Sequence, residues 1–217
     1  MGRVRERRRF RGRIAGVGST SGVRVVVGWW HESPFGGFAD AMVERADGHR
    51  VLLAPTAEVA DLVSTTYTFD EVRIEPVEVH AAAADGDGWA RSWVVSAPSL
   101  SLRVEVGGRT ALGRVLRLVP APVATSPAFA TLADPVARVV LRGVRTRGVA
   151  RAGRREYYGA TDMRAVTSVA GTFDGTDLGH LAPVDPPCRF GFSSTPRRPA
   201  VTNVTTTIVE VEADQSR

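Results

Sequence analysis

Over most of this chain, apolar and polar residues alternate with the period of two that a half-buried strand imposes. The cleanest run is Leu100, Leu102, Val104 and Val106, interleaved with Ser101, Arg103 and Glu105. Residues 23–30 are β-branched and aromatic, and Ser19-Thr20-Ser21-Gly22 before them has turn chemistry. A hairpin is therefore predicted, its first strand over residues 11–17. A second hairpin pairs residues 39–44 with 50–53 through Ala46-Asp47-Gly48-His49. Val72 and Ile74 share one parity and Val77 and Val79 the other, with Pro76 between them. A phase change at a proline predicts a bulge or an edge strand. Asp85-Gly86-Asp87-Gly88 turns the chain into a strand over residues 89–96. Further strands are predicted over residues 139–150, 156–169 and 201–212, and the proline-rich segment 183–199 reads as a long ordered loop.

Helical signals are few and short. Thr56 is placed to cap a helix with Val59, Leu62 and Val63 on one face. Thr110 is placed to cap another, carrying Leu112, Val115, Leu116 and Val119 and stopped by Pro120. Ser126-Pro127 looks like an N-cap followed by proline at the first helical position, with Asp134-Pro135 ending that helix near Ala133. Nine to twelve strands with short helices between two β-rich halves predict a mainly β fold, an antiparallel β-barrel or a two-sheet sandwich.

Composition sharpens this picture in two ways. Hydrophobic residues make up 43% of the 217, enough for a folded core, and no stretch approaches the ~18 apolar residues of a membrane span. All 28 basic residues are arginine. Together with abundant Ala, Val and Gly, this looks like the coding bias of a GC-rich, actinobacterial genome. It also carries chemical force: a guanidinium does not lose its proton, so Schiff-base chemistry and lysine-based phosphate loops are excluded.

The net charge of +5 is unevenly spread. Seven arginines against Glu6 give residues 1–13 a charge of +6, while 21 arginines against 22 acidic residues leave the rest at −1. Residues 1–9 are expected to form a disordered, self-repelling arm, and residues 10–217 a single β-rich domain. The body offers no basic face to extend the arm, so nucleic acid is not the expected partner. The single cysteine, Cys188, permits no internal disulfide and suits a reducing cytoplasm.

Two segments stand out chemically. The stretch Trp29-Trp30-His31-Glu32-Ser33-Pro34-Phe35-Gly36-Gly37-Phe38 concentrates four aromatics, an imidazole, a carboxylate and two adjacent glycines. Trp29, Trp30, Phe35 and Phe38 offer apolar pocket walls, and Gly36 and Gly37 allow close backbone approach. His31 or Glu32 supplies a proton-transfer group. In Arg154-Arg155-Glu156-Tyr157-Tyr158-Gly159-Ala160-Thr161-Asp162, strand periodicity puts Arg155, Tyr157 and Gly159 on one face and Glu156, Tyr158 and Ala160 on the other. If the first face lines a cavity, Arg155 and Tyr157 form an anion site.

Other motifs dissolve on inspection. Gly16-Val17-Gly18 brushes against a dinucleotide loop, but a β-branched strand follows where that loop needs a helix. His31, His49, His80 and His180 are not spaced as metal ligands, and Asp174-Gly175-Thr176-Asp177 reads as a turn, so neither a metal nor a cofactor is expected.

Two stretches resemble the acetoacetate-decarboxylase-like β-barrel family. Ser33-Pro34-Phe35-Gly36-Gly37-Phe38-Ala39-Asp40-Ala41 is similar to its proline-glycine-aromatic-acidic segment, and Arg154-Arg155-Glu156-Tyr157-Tyr158-Gly159 to its arginine-glutamate-aromatic-glycine signature. The family's signature continues with proline-lysine, where this chain has Thr161-Asp162, and its chemistry uses a lysine amine, which this chain lacks. The resemblance therefore implies a cone-shaped barrel around a small-molecule cavity and not decarboxylation.

Three functional classes follow. The first is a small-molecule-binding β-barrel with a partly apolar, anion-accepting cavity between the Trp29–Phe38 segment and the Arg155 strand. The second is a lysine-independent hydrolase, lyase or isomerase using His31 or Glu32 with Asp162. The third is a nucleic-acid-associated or assembly protein acting through the arginine arm.

Overall fold

The N-terminal arginines open a strand. A computed structural model describes residues 4–84, 86–140, 144–151 and 154–211, and in it β1 runs over Val4–Ser19. The predicted disordered arm is thus corrected from residue 4 onward; residues 1–3 lie outside the described residues. The reason is a long partner. The final strand is β-branched through most of its length and pairs with β1 almost to the N-terminus, Arg7 opposite Val209 and Arg9 opposite Thr207. Its backbone ladder, together with burial of Phe10, orders a segment whose charges alone argue for disorder.

The elements then follow as β2 Arg24–Glu32, β3 Phe38–Glu44, β4 Arg50–Ala54, α1 Ala57–Ser64, β5 Glu71–Ile74, β6 Glu78–Ala84, β7 Ala90–Ser96 and β8 Leu100–Arg109. The second half holds α2 Ala111–Leu116, α3 Ala121–Ala124, α4 Pro127–Val140, β9 Arg147–Arg151, β10 Arg154–Phe173, β11 Thr176–Asp177, β12 Leu181–Ala182 and β13 Ala200–Val211. Both predicted hairpins form, as β1–β2 and β3–β4. Asp85 of the predicted 85–88 turn, residues 141–143 of the predicted 139–150 strand, and Glu212 lie outside the described residues.

The fold is mainly β with few short helices, and its strands form one strongly curled open sheet, a half-barrel. The strand order is β5-β4-β3-β2-β1-β13-β10-β8-β7-β6, with only β4–β5 parallel among the pairs along this path. The two outermost strands are consecutive in sequence. Only Glu75, Pro76 and Val77 separate β5 from β6, so the sheet's edges lie within the ~14 Å that such a link spans. The proline phase change therefore marks two edge strands, and the short link between them requires the sheet to curl.

Curling defines the faces. Trp29 on β2 and Trp93 on β7 are five strands apart, roughly 24 Å along a flat sheet, yet their rings meet edge-to-face at 5.2 Å. The face bearing them is concave and carries the largest core, including Val17, Val25, Val27, Ala41, Val43, Leu53, Trp93, Leu102, Val104 and Val201. The strand periodicity gives β1, β2 and β3 a second buried face of opposite parity, with Phe10, Val26 and Met42, covered by α1 and the 183–199 loop.

The helices depart from their predicted lengths and faces. Thr56 and Thr110 cap α1 and α2 as predicted, accepting from Val59 N and Gly113 N. On α2, however, Val115 is exposed and the buried residue is Gly113, whose missing Cβ would lie 2.2 Å from Met163 O. Close backbone approach to β10 places that helix. Pro135 does not end α4, which continues to Val140 and replaces the start of the predicted 139–150 strand; β9 begins only at Arg147. Buried Asp134 accepts from Thr146 N at 3.0 Å, tying the middle of α4 to the chain that leads into β9. No helix among the described residues is long and apolar enough to cross a membrane.

Candidate functional site

A cavity of about 70 Å³ opens on the convex face, between the strands and α1. Strand parity builds its floor: Phe10 and Ile14 from β1, Val26, Gly28 and Trp30 from β2, Phe38, Asp40 and Met42 from β3, Glu156 and Tyr158 from β10, Thr206 and Ile208 from β13. Leu62 and Val63 at the end of α1, then Thr66 and Tyr67, form its roof. Phe192 of the 183–199 loop stacks on Tyr67 and lies 5.8 Å from Tyr158, fixing both rings from behind.

Inside this apolar enclosure lie two carboxyl groups. Asp40 is buried, and its Oδ1 accepts a 2.9 Å hydrogen bond from Trp30 Nε1. Its Oδ2 has no protein donor among the described residues. Burial raises the Asp40 carboxyl to about 7, against the opposing pull of the indole N–H. Glu156 is buried as well; Thr66 Oγ1 donates to its Oε1 at 2.6 Å and the Tyr158 hydroxyl to its Oε2 at 3.1 Å. Burial raises its carboxyl too, although Arg154, with Nη2 4.0 Å from Oε1, pulls the other way. The Tyr67 and Tyr158 hydroxyls are hydrogen-bonded to each other. Burial pushes the Tyr67 phenol upward, and the carboxylates of Glu156 and Asp40 push it further, which places its hydroxyl within the field of both. Arg154 lies behind Glu156 and turns to Thr65, so among the described residues the lining contains no cationic side chain.

The sequence-selected residues divide between this cavity and other places. Trp30 and Phe38 line it. Trp29, one position along, faces the concave core. Phe35 is exposed, its ring 6.4 Å from Phe10. Gly36 stands in a turn closed by Ser33 at φ +80°, and a Cβ there would meet nothing within 4 Å, so it serves loop geometry; a Cβ on Gly37 would make ordinary contact with Trp30 O at 3.5 Å. His31 is the extra residue of a β2 bulge, where Gly12 pairs with Trp30 and Arg11 with Glu32. Its ring lies 4.4 Å from that of Trp29, tilted by 48°, outside the cavity, and Glu32 forms an exposed 2.9 Å ion pair with Arg11.

The β10 stretch presents Glu156 and Tyr158 to the cavity; Arg155 is exposed and Tyr157 shares its opposite face, in register with Val209 and Thr207. The condition for an anion site at Arg155 and Tyr157 is therefore not met here. Asp162 shares sequence parity with Glu156 but not its face. Ala160 pairs with Val204 and Asp162 with Asn203, so Thr161 is the extra residue of a bulge that turns Asp162 over. There Asp162 holds Arg109 at 2.9 Å. His31, Glu32 and Asp162 are not brought together with the cavity's carboxyls.

Sequence reading missed Asp40, Tyr67 and Thr66, and assigned Glu156 and Tyr158 to the silent face. One signal was available: Asp40 stands in Phe38-Ala39-Asp40-Ala41-Met42-Val43, apolar at both parities, where a strand is covered on both sides. Cys188 is buried, and burial pushes its thiol up to about 12, away from the nucleophilic thiolate form. Among the described residues no group of His, Cys, Asp and Glu is arranged to hold a metal. In comparisons with known proteins, the chain matches no family model, no curated protein and no solved structure.

Proposed function

We propose that this protein binds a small, largely apolar molecule in the convex-face cavity, with the ligand's polar end at Asp40, Tyr67 and Glu156. One observation carries the reading: two buried carboxyls and two linked tyrosines stand in an enclosure walled mostly by apolar side chains, among them Phe10, Trp30, Phe38, Leu62 and Ile208. Apolar walls with a few convergent polar groups are the usual build of a small-molecule site. Pre-organisation supports it: the tyrosines are held by Phe192 and Asp40 by Trp30, so little ordering is left for binding.

Native mass spectrometry of protein purified from its own host tests this. A stoichiometric adduct that leaves on denaturation is expected, and Leu62→Trp, which fills the cavity from α1, should abolish it. An adduct undiminished in a folded Leu62→Trp variant would place the ligand elsewhere.

A second reading, a lysine-independent proton-transfer enzyme, is favoured by Asp40 itself. A carboxyl raised to about 7 is divided between acid and base near neutral pH. On this reading the proton-transfer group is Asp40, beside the linked hydroxyls of Tyr67 and Tyr158. A pH–rate profile with an inflection near 7, lost in Asp40→Asn, would support it once a substrate is in hand.

A further inference from the structure

We propose that the cavity's ligand carries an ammonium group, paired with Asp40 and enclosed by the rings of Phe10, Trp30 and Phe38. The inference rests on the reading that the cavity binds a small molecule and names that molecule's polar end.

The cavity's two carboxyls are unequally matched with positive charge. Glu156 already has its complement: Thr66, Tyr158 and the Arg154 guanidinium behind it. Asp40 has only the neutral indole of Trp30, and no ion pair among the described residues. It is 5% exposed, and one of its oxygens is left to the cavity. A buried carboxylate without a cation is costly. The protein on its own can relieve that cost by holding a proton on Asp40; a ligand cation relieves it while leaving the carboxylate ionised.

The surrounding rings suit the same occupant. Phe10 and Trp30 stand 5.9 Å apart and edge-on, and Trp30 and Phe38 lie 6.5 Å apart. Aromatic faces attract a cation, most strongly where water is excluded. An anionic ligand meets two carboxyls and no cationic side chain in the lining. The cavity's size limits the part enclosed to a short chain or small ring.

Binding is coupled to protons. An ammonium that enters while Asp40 is protonated displaces that proton to solvent, one per ligand. The other titratable groups facing Asp40 are Glu156 and Tyr158 from β10 and Tyr67 after α1, with Arg154 behind Glu156. With Asp40 near 7, affinity for an amine that stays charged throughout falls roughly thirtyfold from pH 8 to pH 5.5.

Three probes of one shape test this on the full chain: n-butylamine, 1-butanol and butyrate, each titrated at pH 8 and followed by tryptophan emission and saturation-transfer NMR. Butylammonium is expected to bind at least tenfold tighter than 1-butanol, with butyrate weakest, and the preference is expected to shrink at pH 5.5. Asp40→Asn should abolish the preference for the amine over the alcohol. Butanol binding as tightly as the amine, or butyrate more tightly, would overturn the ammonium assignment and leave the binding reading standing. Failure of all three, with no adduct on host-purified protein, would overturn both. The wild-type probe series decides the matter even where the variant does not fold.

Discussion

Gly28 and Asp40 stand opposite each other in the β2–β3 ladder, and a Cβ on Gly28 would lie 2.5 Å from Asp40 Oδ1 and 2.7 Å from Trp30 Nε1. The glycine is the space in which the indole and the carboxyl meet. Gly28→Ala should therefore drive Asp40 from Trp30 and cost about 1–3 kcal/mol, the usual penalty of overpacking. Urea denaturation followed by tryptophan emission measures both effects. A variant with wild-type midpoint and spectrum would show that the pair tolerates the methyl group.

Asp40's own contribution to stability is expected to fall as the pH rises. Its folded value, about 7, exceeds the ordinary 3.8, so on raising the pH the unfolded chain releases its proton first. Below about pH 4 the group costs nothing; the penalty grows from there to about pH 7 and is then constant. The gap corresponds to about 4 kcal/mol. Asp40→Asn should gain on the wild type across that window, read as the difference in unfolding free energy at pH 4, 5.5 and 8. Parallel pH profiles for the two proteins would contradict the burial of this carboxyl.

Burial should also separate two ion pairs of similar length. Glu44 is fully buried; it accepts from Arg189 N at 2.8 Å and Arg189 Nε at 3.0 Å, and lies 3.1 Å from Arg24, itself only 6% exposed. Glu44→Ala leaves Arg24 buried without its carboxylate, and a loss of about 3–5 kcal/mol is expected. Glu32→Ala breaks the Arg11 pair, exposed on both sides, and should cost less than about 1 kcal/mol. Equal losses in chemical denaturation would refute the distinction.

Pro135 lies inside α4 and is exposed. It has no N–H to give to the Thr131 carbonyl, one turn earlier. Pro135→Ala restores that donor, and a gain of about 1–3 kcal/mol is expected. Thermal melting checks it; a lower melting temperature would mean that the ring's fixed φ is needed where α4 lies on β10.

Much of the fold was legible from period and punctuation. The 100–106 alternation became β8 with Leu100, Leu102 and Val104 buried, and the turn residues at 19–22 and 46–49 joined the two hairpins they predicted. The caps at Thr56, Thr110 and Ser126 hold because a capping hydroxyl and the N–H it accepts are three residues apart. Such signals are local, and so the sequence states them outright. Pro135 and the arginine arm misled for the same reason: each is locally unfavourable, and in each a distant partner decided the outcome, Thr146 for α4 and β13 for β1.

The site was legible as segments and not as faces. Both unusual stretches do reach the cavity, through Trp30, Phe38, Glu156 and Tyr158. Alternation sorts Glu156 from Arg155, yet it does not say which set faces inward. The bulge at Thr161 then breaks the alternation and removes Asp162 from the face of Glu156. Composition by itself determined which chemistry is closed to this protein, since no lysine amine exists to form a Schiff base. Tertiary structure alone decided which carboxyls are starved of water and of cations. That depends on the sheet curling until β5 and β6 are joined by three residues, and on α1 closing over the face the curl leaves outside. Neither event is encoded within a strand's own length.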